Sequence, residues 1–237
     1  LGSALWFAAA LTAAPAAQGG EEASRPLPLR EVDTEATVSV EDFGAKPGGQ
    51  ADALGAMRQA VAKALGAKVP ARVVFAPGEY RVAPSGHGAV CLEIEGAKDL
   101  VIDGGGARIV IANPSAGFLR VLGGENVIVK DLTIDFDPLP FTQAVVRKVD
   151  REAGAAEVEI LPGFPSLEAP HFSAGRKWGK ARLTKGILKD KAHRGRLKAG
   201  APNMIGVKGW EKVGERVFRL DIGRYYVKFS EPGDHYV

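Results

Sequence analysis

Two aspartates, Asp135 and Asp137, carry the clearest potential for acid–base chemistry in this sequence. They lie two residues apart in an alternating segment, so both side chains leave one face of a predicted strand, whereas Ile134 and Phe136 point into the core. Paired carboxylates can supply the acid and the base of glycoside hydrolysis, and their separation decides the stereochemical outcome. They would also suit Ca²⁺-assisted polysaccharide cleavage. The structural alternative is that Asp137 and Pro138 end the strand and Asp135 is solvated.

A basic segment, residues 176–198, is the second candidate site. It holds ten Lys and Arg residues and one acid, Asp190; the rest of the chain has 21 basic and 27 acidic residues, so the net charge of +3 comes entirely from this segment. An anionic partner is the functional interpretation, either an acidic polysaccharide or a cell-surface polymer, and a solvated loop is the alternative. Nucleic acid is not predicted, because no recognised binding motif is present. The candidate substrate-binding residues are Arg176, Lys177, Trp178, Lys180 and Arg182.

Neither a metal site nor a cofactor is predicted. The four histidines are scattered without the spacing of metal ligands. The single cysteine, Cys91, excludes an internal disulfide, and its position at the start of a strand predicts a buried and unreactive thiol. The glycine-rich run at residues 103–106 lacks the phosphate-loop pattern and predicts a turn between strands.

The elements that must position these residues come from a repeat between Cys91 and Pro138. Asp99 and Asn126, two turn-forming residues, occupy equivalent positions in the two copies of this repeat. Its apolar positions recur at a constant offset of 27 residues, which places Leu92, Ile94, Leu100 and Ile102 beside Leu119, Val121, Val127 and Val129. Each unit reads as two short strands and must stack on a copy of itself to bury its apolar face. The repeat therefore predicts coils of a parallel β-solenoid.

An amphipathic helix is predicted at residues 52–66, where it would cover one end of the solenoid. Asp52 is the expected N-cap and Gly66 the expected C-terminal stop. Short strands are predicted at residues 37–40, 72–75 and 79–82. An uncovered end would expose apolar side chains and unpaired strand edges, which explains the need for such a helix. The apolar positions of the helix are Leu54, Met57, Val61 and Leu65.

Residues 139–237 are predicted to form a separate small β domain. Residues 144–149 and 156–161 read as a β-hairpin around a turn at 150–154. Residues 162–203 are rich in Gly, Pro, Lys and Arg and are predicted to be irregular. Alternation resumes at 217–222 and 225–229, which predicts two further strands. The boundary with the solenoid is placed near Pro138.

The first 17 residues have the composition of a secretory signal peptide. An apolar run precedes Ala14-Pro15-Ala16, which is typical of a signal cleavage site, and the run is too short to span a bilayer. We therefore expect a secreted or periplasmic protein without stable membrane insertion, in which residues 1–17 are a truncated signal peptide and 18–36 a flexible lead-in. Because both ends of the chain look cut, we expect an N-terminal portion of a longer protein, with its catalytic centre beyond Val237.

The sequence DFGAK at 42–46, the helix and VFAPGEY at 74–80 together resemble the N-terminal signature of the pectate-lyase superfamily. The chain departs from this signature at residues 47–53, where it keeps one Asp of the usual pair. The resemblance implies an all-β fold, a right-handed parallel β-helix with an N-terminal capping helix, whose cap and first coils span residues 37–138. It does not specify an activity, because lyases, hydrolases, epimerases and phage tailspikes share the fold.

The continuation LTIDFDPLPFTQ at 132–143 is similar to exported β-helix proteins of the α-1,3-galactosidase kind, in which a small β domain is inserted between early coils. This similarity implies that 139–237 is such an insertion and that the protein is a glycoside hydrolase on galactose- or uronate-containing polysaccharide. Two alternatives remain open. One is a non-catalytic polysaccharide-binding or adhesive β-helix, and the other is a polysaccharide lyase, which needs an Arg or Lys base beside Ca²⁺-binding acids.

Overall fold

Stacked parallel strands organise the first half of the molecule. The computed structural model describes residues 31–173, 177–178, 181–182, 184–193 and 195–237. Strands make up 43% of the described residues and helices are few there, so the fold is broadly all-β. The predicted signal peptide at 1–17 and most of the predicted lead-in at 18–36 lie outside the described residues.

Between residues 31 and 137, one α-helix and one 3₁₀ helix accompany the strands. The elements are β1 (Ala36–Ser39), a 3₁₀ helix (Val40–Phe43), α1 (Leu54–Gly66), β2 (Ala71–Val74), β3 (Glu79–Val82), β4 (Val90–Glu95), β5 (Lys98–Ile111), β6 (Gly117–Leu122) and β7 (Glu125–Phe136). Each predicted strand in this region therefore lies within one residue of an observed one.

These strands form three parallel faces around one core. The first face stacks β1, β2 and the first halves of β5 and β7. The second face stacks β3 and the second halves of β5 and β7, and the third face pairs β4 with β6. β5 bends from the first face to the second where its pairing with β7 shifts register, between Asp103 and Ala107. The predicted turn at 103–106 is therefore corrected: it is a bend within one strand.

The offset of 27 residues is the register in which β4 pairs with β6 and the first half of β5 with that of β7; beyond the bend, β5 and β7 pair at an offset of 25. Asp99 and Asn126 occupy the same left-handed corner, with φ values of 51° and 53°, and the Asn126 amide donates a hydrogen bond of 2.6 Å to Asp99 Oδ1. Short polar side chains tolerate this backbone conformation better than other residues do. The paired positions include Leu92 with Leu119, Ile94 with Val121, Leu100 with Val127 and Ile102 with Val129.

The inward side chains of the three faces pack with α1 into a first hydrophobic core. Met57, Ile94, Ile102 and Ile109 are fully buried there. Removing such a side chain from water contributes about 1.5–3 kcal/mol each. Cys91 is buried in the same core, and burial raises the pKa of its thiol to about 11. The prediction of a buried cysteine is confirmed.

Helix α1 begins two residues later than predicted and ends at the predicted glycine, Gly66. Asp52 stands just before the N-cap position, where its Oδ1 accepts hydrogen bonds from the backbone N–H groups of Leu54 (3.0 Å) and Ala83 (3.1 Å). The side chain thus ties the start of the helix to the end of β3. Leu65, one of the predicted apolar positions, is not a core residue, because its side chain in the last turn of α1 is 36% exposed.

The DFGAK segment and the turn before β3 hold each other in place. Glu41 accepts hydrogen bonds from the Ala76 N–H (3.1 Å) and from the buried Tyr80 hydroxyl. Gly78 has a φ of 140°, and a Cβ there would lie 2.6 Å from Pro47 Cβ. Only glycine fits this contact, because any side chain would collide with the proline ring.

The second half contains short strands and two short helices. The elements are β8 (Ala144–Asp150), β9 (Ala155–Ile160), α2 (Pro170–Ser173), β10 (Lys177–Trp178), β11 (Ala181–Arg182), β12 (Thr184–Gly186), β13 (Leu188–Lys189), β14 (Ile205–Val207), β15 (Gly209–Lys212), β16 (Val217–Asp221), α3 (Gly223–Val227) and β17 (His235–Tyr236). A six-stranded sheet in the order β13-β17-β8-β9-β16-β15 covers a second hydrophobic core. The predicted hairpin is confirmed, since β8 and β9 pair antiparallel.

The predicted strand at 225–229 is wrong, because α3 occupies most of it. In a strand, Tyr225 and Val227 would share one face. In the structure Val227 is fully buried in the second core while Tyr225 is 61% exposed, which a helical turn permits. The Asp221 carboxylate accepts the Gly223 N–H at 3.2 Å and so starts the turn. Aromatic residues favour strands in general, and this local turn overrides that preference.

Candidate functional site

Asp135 and Asp137 lie in a row of charged side chains along the second face. Asp135 Oδ2 contacts Arg108 Nη2 at 2.5 Å, and Arg108 Nη1 contacts Glu79 Oε2 at 3.1 Å. Asp137, just after β7, pairs with Arg81 Nη2 at 2.9 Å. We call these five residues the charged strip.

The strand register explains why these charges meet. Glu79 of β3 stands opposite Arg108 of β5, and Arg81 stands two residues further along the same side of β3. Asp135 of β7 lies across from Val110, one step from Arg108 on the outer side. Opposite charges on neighbouring strands stabilise their pairing, so the strip also helps to fix the register.

Asp135 is held in its ionised form. The hydrogen bond from Arg108 and the backbone N–H of Phe136, at 2.8 Å from Oδ1, lower the pKa of the Asp135 carboxyl below its usual 3.8. Its side chain remains 38% exposed, and that of Asp137 is 66% exposed. A carboxylate in this state can act as a base, a nucleophile or an electrostatic stabiliser, whereas a proton donor needs a raised pKa.

Ion pairs between neighbouring strands occur on the other two faces as well. Arg120 pairs with Glu93 on the third face, and both Arg72 and Lys130 pair with Asp103 on the first. An ion pair by itself therefore does not mark a functional site. The charged strip brings together three carboxylates and two arginines on a single face.

The sequence identified both aspartates but missed their partners, Arg81 and Arg108. Arg108 precedes Asp135 by 27 residues, but the repeat did not reveal this contact, because β5 and β7 pair at an offset of 25 on this face and Asp135 lies across from Val110. Arg81 lies before the repeat begins, and its distance of 56 residues from Asp137 carries no visible pattern.

Ile134 is predicted to point into the core, but its side chain is not buried. It pairs with Ile109, which is fully buried, yet Ile134 itself is 45% exposed. The alternation of β7 thus gives the correct direction for this side chain, but not its burial. Phe136, the other predicted core residue beside the aspartates, is partly buried against the first core.

Three of the predicted binding residues in the basic segment lie in two very short strands. Lys177 and Trp178 form β10, and Arg182 ends β11; the two strands pair antiparallel, with Lys177 opposite Arg182. Arg176 and Lys180 lie outside the described residues. The structure therefore places three of the five predicted residues on one small hairpin.

Farther along the basic segment, acids from outside it neutralise part of its charge. Lys198 Nζ lies 3.1 Å from both Glu231 Oε2 and the buried Asp234 Oδ1, and Lys191 contacts Glu231 at 3.0 Å. Burial lowers the pKa of Lys198, but its hydrogen bonds to Asp234 and Glu231 outweigh this effect and raise it. A count of charges along the sequence missed this pairing, because the partners are more than 30 residues apart.

The described residues contain no group of three or more His, Cys, Asp or Glu side chains that could hold a metal ion. Within the same ranges, no helix is both long enough and apolar enough to cross a membrane. No family model matches the chain, and a search of curated proteins gives no match.

Proposed function

We propose that this chain is an exported, carbohydrate-active protein that hydrolyses galactose- or uronate-containing polysaccharide. Its first half would be a right-handed parallel β-helix of the pectate-lyase type, with α1 as its cap and residues 139–237 as an inserted small β domain. Three parallel faces support this interpretation, two of which pair at an offset of 27 residues and the third, between the second halves of β5 and β7, at 25. The resemblance of residues 42–46 and 74–80 to the family signature supports it as well.

The charged strip is the observation that carries the proposal. Glycoside hydrolysis needs two carboxyl groups that flank the scissile bond on an accessible surface. Asp135 and Asp137 are both accessible, and Arg108 and Arg81 fix their positions. Sugar hydroxyl groups can donate to such carboxylates and accept from the guanidinium groups beside them.

The two aspartates take different roles in this proposal. Asp135, whose pKa Arg108 holds low, acts as the base that activates water. Asp137 supplies the second carboxyl group that glycoside hydrolysis requires.

The test is an assay of the protein against a panel of neutral and acidic glycans, followed by reducing ends and by the absorbance of unsaturated products. We expect reducing sugar without unsaturation. Asp135→Asn and Asp137→Asn should each lower the rate at least about 100-fold. Glu93→Gln is the matched control, because Glu93 is also an exposed carboxylate paired with an arginine, but on the third face.

Other outcomes would overturn the hydrolase proposal. Unsaturated products would identify a lyase, and binding without cleavage that survives both aspartate substitutions would identify a non-catalytic binding protein. Cleavage that Glu93→Gln reduces as much as Asp135→Asn would show that general destabilisation, and not catalysis, explains the loss.

The pH profile provides a second check on the role of Asp135. Because the pKa of Asp135 lies below 3.8, the group stays ionised as the pH falls from about 7 to about 4. The acidic limb of the rate profile should therefore lie below about pH 4. Arg108→Gln should move this limb to higher pH, because the carboxylate loses the cation that favours its charged form.

A further inference from the structure

The short helix α3 presents aromatic and basic side chains on the surface of the second half. Tyr225 is 61% exposed there, and the exposed Arg224 and Lys228 lie before and after it in the sequence. Val227 is fully buried in the second core, so it anchors the turn and fixes which side chains face outward. We call the following five residues the aromatic–basic patch: Lys208, Arg224, Tyr225, Lys228 and Phe229.

Lys228 lies between two aromatic rings of the patch. Its Nζ is 4.4 Å from the centroid of the Tyr225 ring and 4.8 Å from that of the Phe229 ring. The two rings meet edge to face, with centroids 6.0 Å apart and an interplanar angle of 79°. These contacts restrict the rotamers of an exposed tyrosine and an exposed lysine, so less conformational entropy is lost when a ligand binds them.

Two glycines allow the other two cations to approach α3. A Cβ on Gly223 would lie 3.0 Å from Lys208 Nζ, so the ammonium group lies over the first residue of the helix. A Cβ on Gly154 would lie 2.6 Å from the backbone nitrogen of Arg224, so the turn between β8 and β9 packs closely against α3. At this turn Arg224 Nε donates a hydrogen bond of 2.7 Å to the Glu152 carbonyl oxygen, which fixes the guanidinium group.

The three cations of the patch are not neutralised by the protein. Among the described residues, Lys208, Arg224 and Lys228 form no ion pair with an acid. The neighbouring strand β16 differs, because Arg219 there pairs with two acids. Asp221 precedes α3, and its carboxylate accepts the Gly223 N–H at 3.2 Å. The patch therefore offers three positive charges beside an exposed aromatic ring.

We propose that the aromatic–basic patch binds a sugar unit of a uronate-containing polysaccharide. The Tyr225 ring packs against the apolar C–H face of the sugar, and its rigidity supplies contact area at a low entropic cost. The sugar carboxylate binds the cations. Because Glu152 occupies only Nε of Arg224, both Nη groups of this arginine can donate to that carboxylate. The inference rests on the proposed class of substrate, but not on the charged strip.

The patch fits an acidic sugar better than other large anions. A nucleic acid duplex carries about one charge per 1.7 Å of its axis, so it needs a longer basic surface than three cations provide. Binding to a lipid surface typically uses an amphipathic helix with a wide apolar face, whereas α3 spans five residues. One sugar with one carboxylate matches both the single exposed ring and the few cations around it.

The first test compares the affinities of the 237-residue chain for a short uronate oligosaccharide and for a neutral galactose oligosaccharide, by calorimetry. The titrations use the Asp135→Asn chain, so that cleavage does not consume the ligand and failure of the hydrolysis proposal leaves this test intact. We expect the acidic ligand to bind more tightly, and its affinity to fall as salt screens the exposed charges. Tyr225→Ala should weaken this binding about tenfold, whereas Tyr225→Phe, which keeps the ring, should retain it.

The second test removes one charge at a time. Lys228→Gln and Arg224→Gln should each weaken binding of the uronate oligosaccharide at least about threefold and reduce its dependence on salt. Lys63→Gln is the matched control, because Lys63 is also an exposed lysine without an ion pair among the described residues, but it lies on α1. This control should bind as the unsubstituted chain does. Thermal unfolding of each variant verifies that it is folded.

Several results would overturn the proposal. One is the absence of binding to the uronate oligosaccharide, and another is binding that Tyr225→Ala leaves unchanged. An equal loss in Lys63→Gln would show that binding follows the net charge of the chain and not the patch. Tighter binding of single-stranded DNA or of vesicles with anionic lipid, lost in the same patch variants, would assign the patch to a different class of ligand.

Discussion

The two ends of the parallel stack differ in how their apolar side chains and strand edges are covered. At one end, α1 lays its buried residues Met57 and Val61 over the core, and Arg58 occupies the carbonyl groups at the edge of β4. At the other end, β6 and β7 each have a strand on one side only among the described residues, and their inward side chains are partly exposed.

This difference shows that the apolar pattern of a strand determines which way its side chains point. Whether those side chains are buried depends on whether another strand packs beyond them. Ile109 and Ile134 are the same residue in the same register position on adjacent strands. One is fully buried and the other is 45% exposed, because only Ile109 has a strand on both sides. A repeat stabilises its members through neighbours, so the last member has about half of the contacts.

The largest expected effect is a contrast between Ile109→Ala and Ile134→Ala. The first should lower the free energy of unfolding by about 2–5 kcal/mol, since it leaves a cavity in a packed core. The second should cost about 1 kcal/mol or less, because that side chain is partly in water already. Urea unfolding at low protein concentration measures both. Equal losses would contradict the comparison, because they would require a covered Ile134.

The strand pattern of the first half could be predicted because the repeat carries two independent signals. Apolar residues recur every 27 positions, and the corner residues Asp99 and Asn126 recur with them. The sequence also identified Asp135 and Asp137 as neighbours on one face. It could not give the ion pair of Asp137 with Arg81, because that contact depends on how strands outside the repeat align.

The second half was harder to predict, for a physical reason. Its elements are short, and their order in the sheet departs from their order in the sequence. The pairing of Lys198 with Glu231 and Asp234 joins residues more than 30 positions apart, so no local pattern reveals it. The helix α3 was missed because Tyr225 and Tyr226 favour strands, whereas the burial of Val227 decides the conformation.

A smaller effect is expected at the contact that brings β7 against β5. A Cβ on Gly104 would lie 2.4 Å from the Asp131 carbonyl oxygen and from the Leu132 side chain. Gly104→Ala should therefore cost about 1–3 kcal/mol, because the last strand must move away. Gly55→Ala in α1 is the control, with nothing within 4 Å of its added Cβ. It should stabilise the protein by about 0.5–1 kcal/mol, and a loss there would contradict the description of the end of the stack beside α1.

The smallest effect is expected at Arg58. It tests whether the end of the stack beside α1 is stabilised by the hydrogen bonds of Arg58 or by the packing of α1 alone. Arg58→Met keeps the apolar stem but removes the hydrogen bonds to Val90 and Cys91, so it should cost about 1 kcal/mol. Lys63→Met, at an exposed position on the same helix, should change stability by less than about 0.5 kcal/mol. Amide hydrogen exchange provides the second measurement, because β4 should open more often once its edge is bare. If stability and exchange both stay at the wild-type level, the packing of α1 over the core is sufficient, and an unpaired edge costs little at either end.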